Sequence, residues 1–85
     1  MEMPTPDELK QRIEAAIPGA EADVTSADNV HFAAVVRARA FDGLNRVQQH
    51  KLVYAPLQQW LDTGELHALA LKTYSPEQWQ KLGPR

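Results

Sequence analysis

Apolar residues recur along this chain with two alternating periods, and the switches between them mark six elements. Leu9, Ile13, Ala16 and Ile17 fall three and four residues apart, while Glu8, Lys10, Gln11, Arg12 and Glu14 fill the other side, as in an amphipathic helix. Ahead of them, Thr5-Pro6-Asp7-Glu8 sets a hydroxyl at the N-cap, proline at the first helical position and glutamate at the third, a capping box. Pro18-Gly19 stops the pattern, so a helix is read over 5–17. Ala22 to Thr25 reads as a short strand, and Ser26-Ala27-Asp28-Asn29 as the tight connection of a hairpin. From Val30 the period shortens to two. Phe32, Ala34, Val36 and Ala38 form the face expected in the core, and His31, Ala33, Val35, Arg37 and Arg39 form one that ends in water.

Phe41-Asp42-Gly43 closes this strand. Val47, His50, Val53, Tyr54, Leu57, Trp60 and Leu61 then return to helical spacing between Asn45 and Asp62. Pro56 lacks a backbone donor, so this helix is expected to break or bend near Val53. Thr63-Gly64 ends it. Leu66 to Thr73 is mostly apolar, with Leu69 and Leu71 on one side and Ala68 and Ala70 on the other, which predicts a strand covered on part of both faces. Ser75-Pro76-Glu77-Gln78 repeats the capping pattern and opens a short helix through Trp79 to the region of Leu82.

The order helix, strand, strand, helix, strand, helix contains no repeat and no linker, so 1–85 is read as a single domain. A right-handed crossover would make the second and third strands parallel, giving a two-layer α+β domain with a three-stranded mixed sheet. A chain of 85 residues holds one core at most. The absence of cysteine changes the picture most: it excludes disulfides, a thiolate zinc site and a self-contained thiolate-held iron–sulfur cluster, so any sulfur ligand must come from a partner. A net charge of −2 disfavours a domain whose affinity comes mainly from neutralising phosphates. No apolar run approaches the ~20 residues of a membrane span. The start MEMPTPDELK lacks a basic-then-apolar leader, and a cytoplasmic location is expected.

No HExxH, GxSxG or glycine-rich phosphate loop is present, which points away from an enzyme. Three histidines carry the remaining chemistry. His67 opens the third strand beside a turn, where an imidazole reaches the surface; the ordinary alternative is a half-buried histidine bonded to a neighbouring carbonyl. His31 begins the second strand on the solvent-facing parity, and alone reads as a plain exposed residue. Parallel pairing would set the starts of both strands at one end of the sheet, making His31 and His67 a candidate pair of metal ligands. His50, between Val47 and Tyr54 on the apolar stripe, reads as a core or boundary histidine. Arg46, Lys51 and Lys72, with Arg37 and Arg39, would serve nucleic acid only if gathered on one face, and otherwise form solvated surface.

Phe41-Asp42-Gly43, the run Arg46-Val47-Gln48-Gln49-His50-Lys51-Leu52-Val53-Tyr54, the run His67-Ala68-Leu69-Ala70-Leu71-Lys72-Thr73, and Ser75-Pro76-Glu77-Gln78-Trp79 stand in a specific order and spacing. Together they resemble the BolA family over nearly the whole chain, and FDG with Tyr74-Ser75-Pro76 resembles its bacterial IbaG-like branch. The resemblance implies a fold similar to the type II KH domain. It also implies a non-catalytic adaptor that pairs with a monothiol glutaredoxin around a shared [2Fe–2S] cluster, in iron–sulfur assembly, trafficking or iron and stress regulation. Sulfur ligands would come from the glutaredoxin and glutathione, and an imidazole from this chain. The family's HAL-type histidine maps onto His67. The second family ligand is a His or Cys in the loop between the first two strands; 25–30 holds neither, and His31 is the nearest candidate. Imidazole in place of thiolate raises the reduction potential and makes the ligand sensitive to protonation. The family is also associated with stress responses and, in some members, with DNA binding through the region from Gly43 to His50. Arg46, Lys51 and Lys72 are the residues that reading would use here, and a weak homodimer is left open.

Overall fold

The computed structural model describes residues 5–28, 31–66 and 68–82. Helix α1 runs Pro6–Ala16. Its capping box is formed: the Glu8 N–H donates to Thr5 Oγ1 at 3.2 Å, and the Thr5 N–H donates to the Glu8 carboxylate at 3.3 Å, which satisfies two backbone donors that a helix start otherwise leaves open. Leu9, Ile13 and, just past the helix, Ile17 are buried, as their spacing requires.

Strand β1 (Glu21–Thr25) pairs antiparallel with β2 (His31–Arg37), and β2 pairs parallel with β3 (Ala68–Tyr74), so the sheet order is β1-β2-β3. Val36 sits opposite Ala22 on one side and Thr73 on the other. Phe32, Ala34, Val36 and Ala38 point into the core, the face their period assigned them. On the opposite face His31 and Ala33 are exposed, while Val35 and Arg37 are half-buried.

Between β2 and β3 lie a tight helical turn at Arg39–Phe41, helix α2 (Arg46–Tyr54), a second tight turn at Ala55–Leu57, and helix α3 (Gln58–Thr63). The expected break occurs at Pro56, which sits in the tight turn. Gly64 ends α3 with φ of 82°, a left-handed cap that a side chain would strain. Helix α4 (Pro76–Lys81) follows β3, with Ser75 and Gln78 closing another capping box.

Two expectations change. Val47, placed on the apolar stripe of α2, is 62% exposed, and Gln49 is buried in its stead at 2%. The buried row is 49, 53 and 57, one residue per turn, and it begins with a polar side chain because every polar atom of that side chain finds a partner inside. For β3, Leu69 and Leu71 pack toward the core, whereas Ala70 and Lys72 are exposed. Among the described residues, cover on that second face comes at its far end, where Trp79 of α4 packs on Tyr74 with ring centroids 5.4 Å apart.

The core therefore lies on one side of the sheet, under α1, α2 and α3, and unites Leu9, Ile13, Phe32, Val36, Phe41, Val53, Leu57 and Leu66. Each large apolar side chain so buried contributes roughly 1.5–3 kcal/mol relative to exposure. Both tryptophans are capped by guanidinium groups, Arg12 over Trp60 at 4.2 Å and Arg37 over Trp79 at 4.5 Å, a stacking arrangement suited to arginine at a wet boundary. Among the described residues, no helix is long and apolar enough to cross a membrane.

Candidate ligand site at the sheet end

The connection from β1 to β2 holds His31 in a specific orientation. Asp28 reaches it twice: Oδ1 accepts the His31 backbone N–H at 2.9 Å, and Oδ2 lies 3.0 Å from the ring Nδ1. Ser26 Oγ donates to the His31 carbonyl at 2.7 Å. An ionised carboxylate can only accept, so Nδ1 is the donor, and in the neutral ring the lone pair is then on Nε2. The side chain is 71% exposed, and Nε2 has no hydrogen-bond partner among the described residues. A carboxylate fixing one ring nitrogen while the other is offered is the outer-shell arrangement that orients histidine ligands. The signal for this in the sequence is an aspartate in the turn three residues before the histidine, a residue that turn chemistry alone also explains.

His31 is the register partner of Ala68, so β2 and β3 begin at the same end of the sheet, as parallel pairing predicted. His67, which precedes Ala68 in the chain, lies outside the described residues, as do Asn29 and Val30 of the hairpin connection. Among the described residues, no three His, Cys, Asp or Glu side chains are grouped to hold a metal ion. With no thiol in the chain, the donors here fit a minor share of a ligand set completed by another molecule.

The cationic candidates lie elsewhere. Arg46 and Lys72 are brought together with His50, Leu71, Thr73 and Tyr74 around a cleft of about 320 Å³. Lys51 borders a neighbouring cleft of about 610 Å³ with Tyr54, Ala55, Gln58, Leu61 and Leu69. His50 is half-buried, as its place on the stripe suggested, and meets the Tyr54 ring edge-on at 6.3 Å.

Sequence reasoning missed Gln49. Its side-chain N–H group donates to the carbonyls of Phe41 and Leu44 and to Gln78 Oε1, at 3.3, 3.0 and 3.2 Å, and its Oε1 accepts from the Thr73 hydroxyl at 2.7 Å. One amide thereby ties α2 to the preceding loop, to β3 and to α4.

The profile of the BolA-like protein family matches residues 9–78. This chain belongs to the BolA-like family. It is 43% identical over 54 residues to a Haemophilus influenzae protein, a match spanning 64% of each chain. It is 34% identical over 56 residues to the acid stress protein IbaG of Escherichia coli strain K12, covering 66% of this chain and 67% of that one. The fold is similar to the solved structure of a BolA protein homologue from Coxiella burnetii, with a TM-score of 0.77 and 34% identity over 92% of this chain and 99% of that one. On this BolA-like domain, an oriented, exposed imidazole occupies one end of the sheet and the closed Gln49 network occupies the other.

Proposed function

We propose that this BolA-like protein is a non-catalytic, cytoplasmic adaptor that pairs with a monothiol glutaredoxin and contributes imidazole ligands to a [2Fe–2S] cluster shared with the glutaredoxin and glutathione. His67 is the principal ligand, by its match to the family's HAL-type histidine, and His31 is the second. The observation that carries the reading is the Asp28 carboxylate at 3.0 Å from His31 Nδ1, which leaves Nε2 exposed at the sheet end where β3 begins. The cysteine-free sequence supports the same division of labour, thiolates from the partner and imidazole from this chain. Bound there, the cluster would supply a redox centre whose potential is raised by histidine ligation. This chain's own part is to hold Nδ1 protonated through Asp28 and to offer Nε2 in the metal-ligating tautomer.

The test is visible absorption and circular dichroism of the protein mixed with a monothiol glutaredoxin, iron, sulfide and glutathione. The expected spectrum differs from that of the glutaredoxin alone, is lost with His67→Ala and is altered with His31→Ala. A spectrum identical to glutaredoxin alone would sink the reading. The alternative, a nucleic-acid-binding stress regulator, draws support from Arg46 and Lys72 sharing a cleft. Its few cations on a chain of net charge −2 are too few for strong phosphate-driven binding. Retention on DNA in low salt that is abolished by Arg46→Glu with Lys51→Glu would favour it.

A further inference from the structure

The two clefts beside α2 are parts of one seam. Arg46, His50, Tyr54 and Gln58 form a single row, one residue every four, along α2 and into α3, and that row lines both clefts opposite Leu69, Leu71 and Thr73 of β3. The dimensions match. The eight helical steps from 46 to 54 rise about 12 Å, and the four strand steps from 69 to 73 rise about 13 Å. β3 is also an outer strand: β2 pairs with one side, and among the described residues no strand pairs with the other. Such an edge carries backbone donors and acceptors available to an incoming strand.

Charge and polarity along the seam select the visitor. Its β3-start end has an apolar floor of Tyr54, Leu61 and Leu69 with Lys51 at the border, and its other end is cationic, with Arg46 and Lys72. Among the described residues, Arg46, Lys51 and Lys72 make no ion pair. No described carboxylate lines either cleft. Three unpaired cations beside an apolar floor, on a chain that is acidic overall, form a local field opposite in sign to the molecule's net charge.

We propose that this seam is a docking groove for an extended acidic segment of another protein, which adds to the sheet as a fourth strand beside β3. Main-chain pairing supplies affinity, and side chains of alternate parity supply selection. Residues of the visitor on the helix side are apolar next to Leu69 and acidic next to Arg46, and those on the open side are acidic next to Lys72. The groove lies along α2, so it operates whether or not His31 and His67 act as ligands. A nucleic-acid strand fits less well, because the open edge of β3 offers main-chain donors and acceptors that match another peptide strand and not a phosphodiester backbone.

The probe is a fluorescein-labelled Val-Glu-Val-Glu-Glu-Glu peptide, with its reversed sequence as a second probe, titrated with the full chain by fluorescence anisotropy. One of the two is expected to bind with a Kd below ~1 mM. Alternate amides of a strand point to opposite sides. N-methylating one alternate set should therefore weaken binding about tenfold or more, while methylating the other set leaves it unchanged. Arg46→Glu with Lys51→Glu should weaken it about tenfold, with the circular dichroism of the fold retained, since both positions are exposed. Absence of binding by either peptide at ~1 mM would overturn the proposal. So would equal binding of both methylated probes, displacement by a thymidine decamer that binds more tightly, or a concentration-dependent dimer that the peptide does not dissociate.

Discussion

The two ends of the sheet each hold a knot of hydrogen bonds, and they differ in whether the knot is closed. At one end Thr73, Gln78 and the carbonyls of Phe41 and Leu44 converge on the buried Gln49 amide and use all its hydrogen-bonding atoms. At the other, Asp28 occupies one nitrogen of an exposed His31 ring and leaves the second open. A closed buried network has no valence to offer a partner, and its value lies in fixing how elements meet. An open network at the surface spends its internal bonds on orientation and keeps one atom for a ligand. The difference is one of spare bonding capacity, present at one end and absent at the other.

The largest effect expected from breaking this contrast is on the closed end. Gln49→Ala removes the partner of the Thr73 hydroxyl and of the Leu44 carbonyl and opens a cavity, so it should cost about 3 kcal/mol, lowering the thermal midpoint by roughly 15 °C in calorimetry. The Glu-for-Arg and Glu-for-Lys changes along α2 should leave that midpoint nearly unmoved. At the open end the outcome reverses: Asp28→Ala should reduce ligand affinity of the mixed glutaredoxin complex about ten- to a hundredfold, read by titrating loss of the cluster spectrum with a chelator. Its cost in stability should stay at or below about 1 kcal/mol.

Smaller effects sharpen the comparison. The Asn45 side chain accepts the Gln48 N–H at 2.9 Å to start α2, and Asn45→Ala should lose about 1 kcal/mol in urea unfolding. The smallest is a pH effect at the junction of α1 and β1. The Lys10 ammonium at 2.7 Å and the Ala22 N–H at 2.9 Å hold the Glu14 carboxyl below the usual carboxylate range. A lowered folded-state pKa means that the stability contributed by Glu14 is present above its unfolded value of about 4.3 and disappears as pH falls through the lowered one. Glu14→Gln should therefore flatten the acid limb of the stability profile below about pH 4.5. An unchanged limb would show that the contact adds nothing in solution.

Much of this was legible before the fold was known. Capping residues announce helix starts because the hydrogen bonds involved are local, spanning three residues at Thr5, Asn45 and Ser75. The parity of β2 is legible because alternation is a property of the backbone. The same reasoning fails at Val47 and Gln49, because a stripe of apolar letters does not by itself mark the buried row. A helix period groups residues into rows, but which row faces inward depends on what packs against it.

The sequence by itself determined the order of elements, the faces of β2, the break at Pro56 and the lack of any thiolate, since each follows from local backbone chemistry or from composition. Only the tertiary structure decided that Gln49 would be bonded to partners 24 and 29 residues away, that Arg46 would share a cleft with Lys72, and that His31 would stand beside the first residue of β3. Those pairings join segments distant along the chain, and their geometry exists only once the helices have settled on the sheet and shared burial has brought the polar groups within reach.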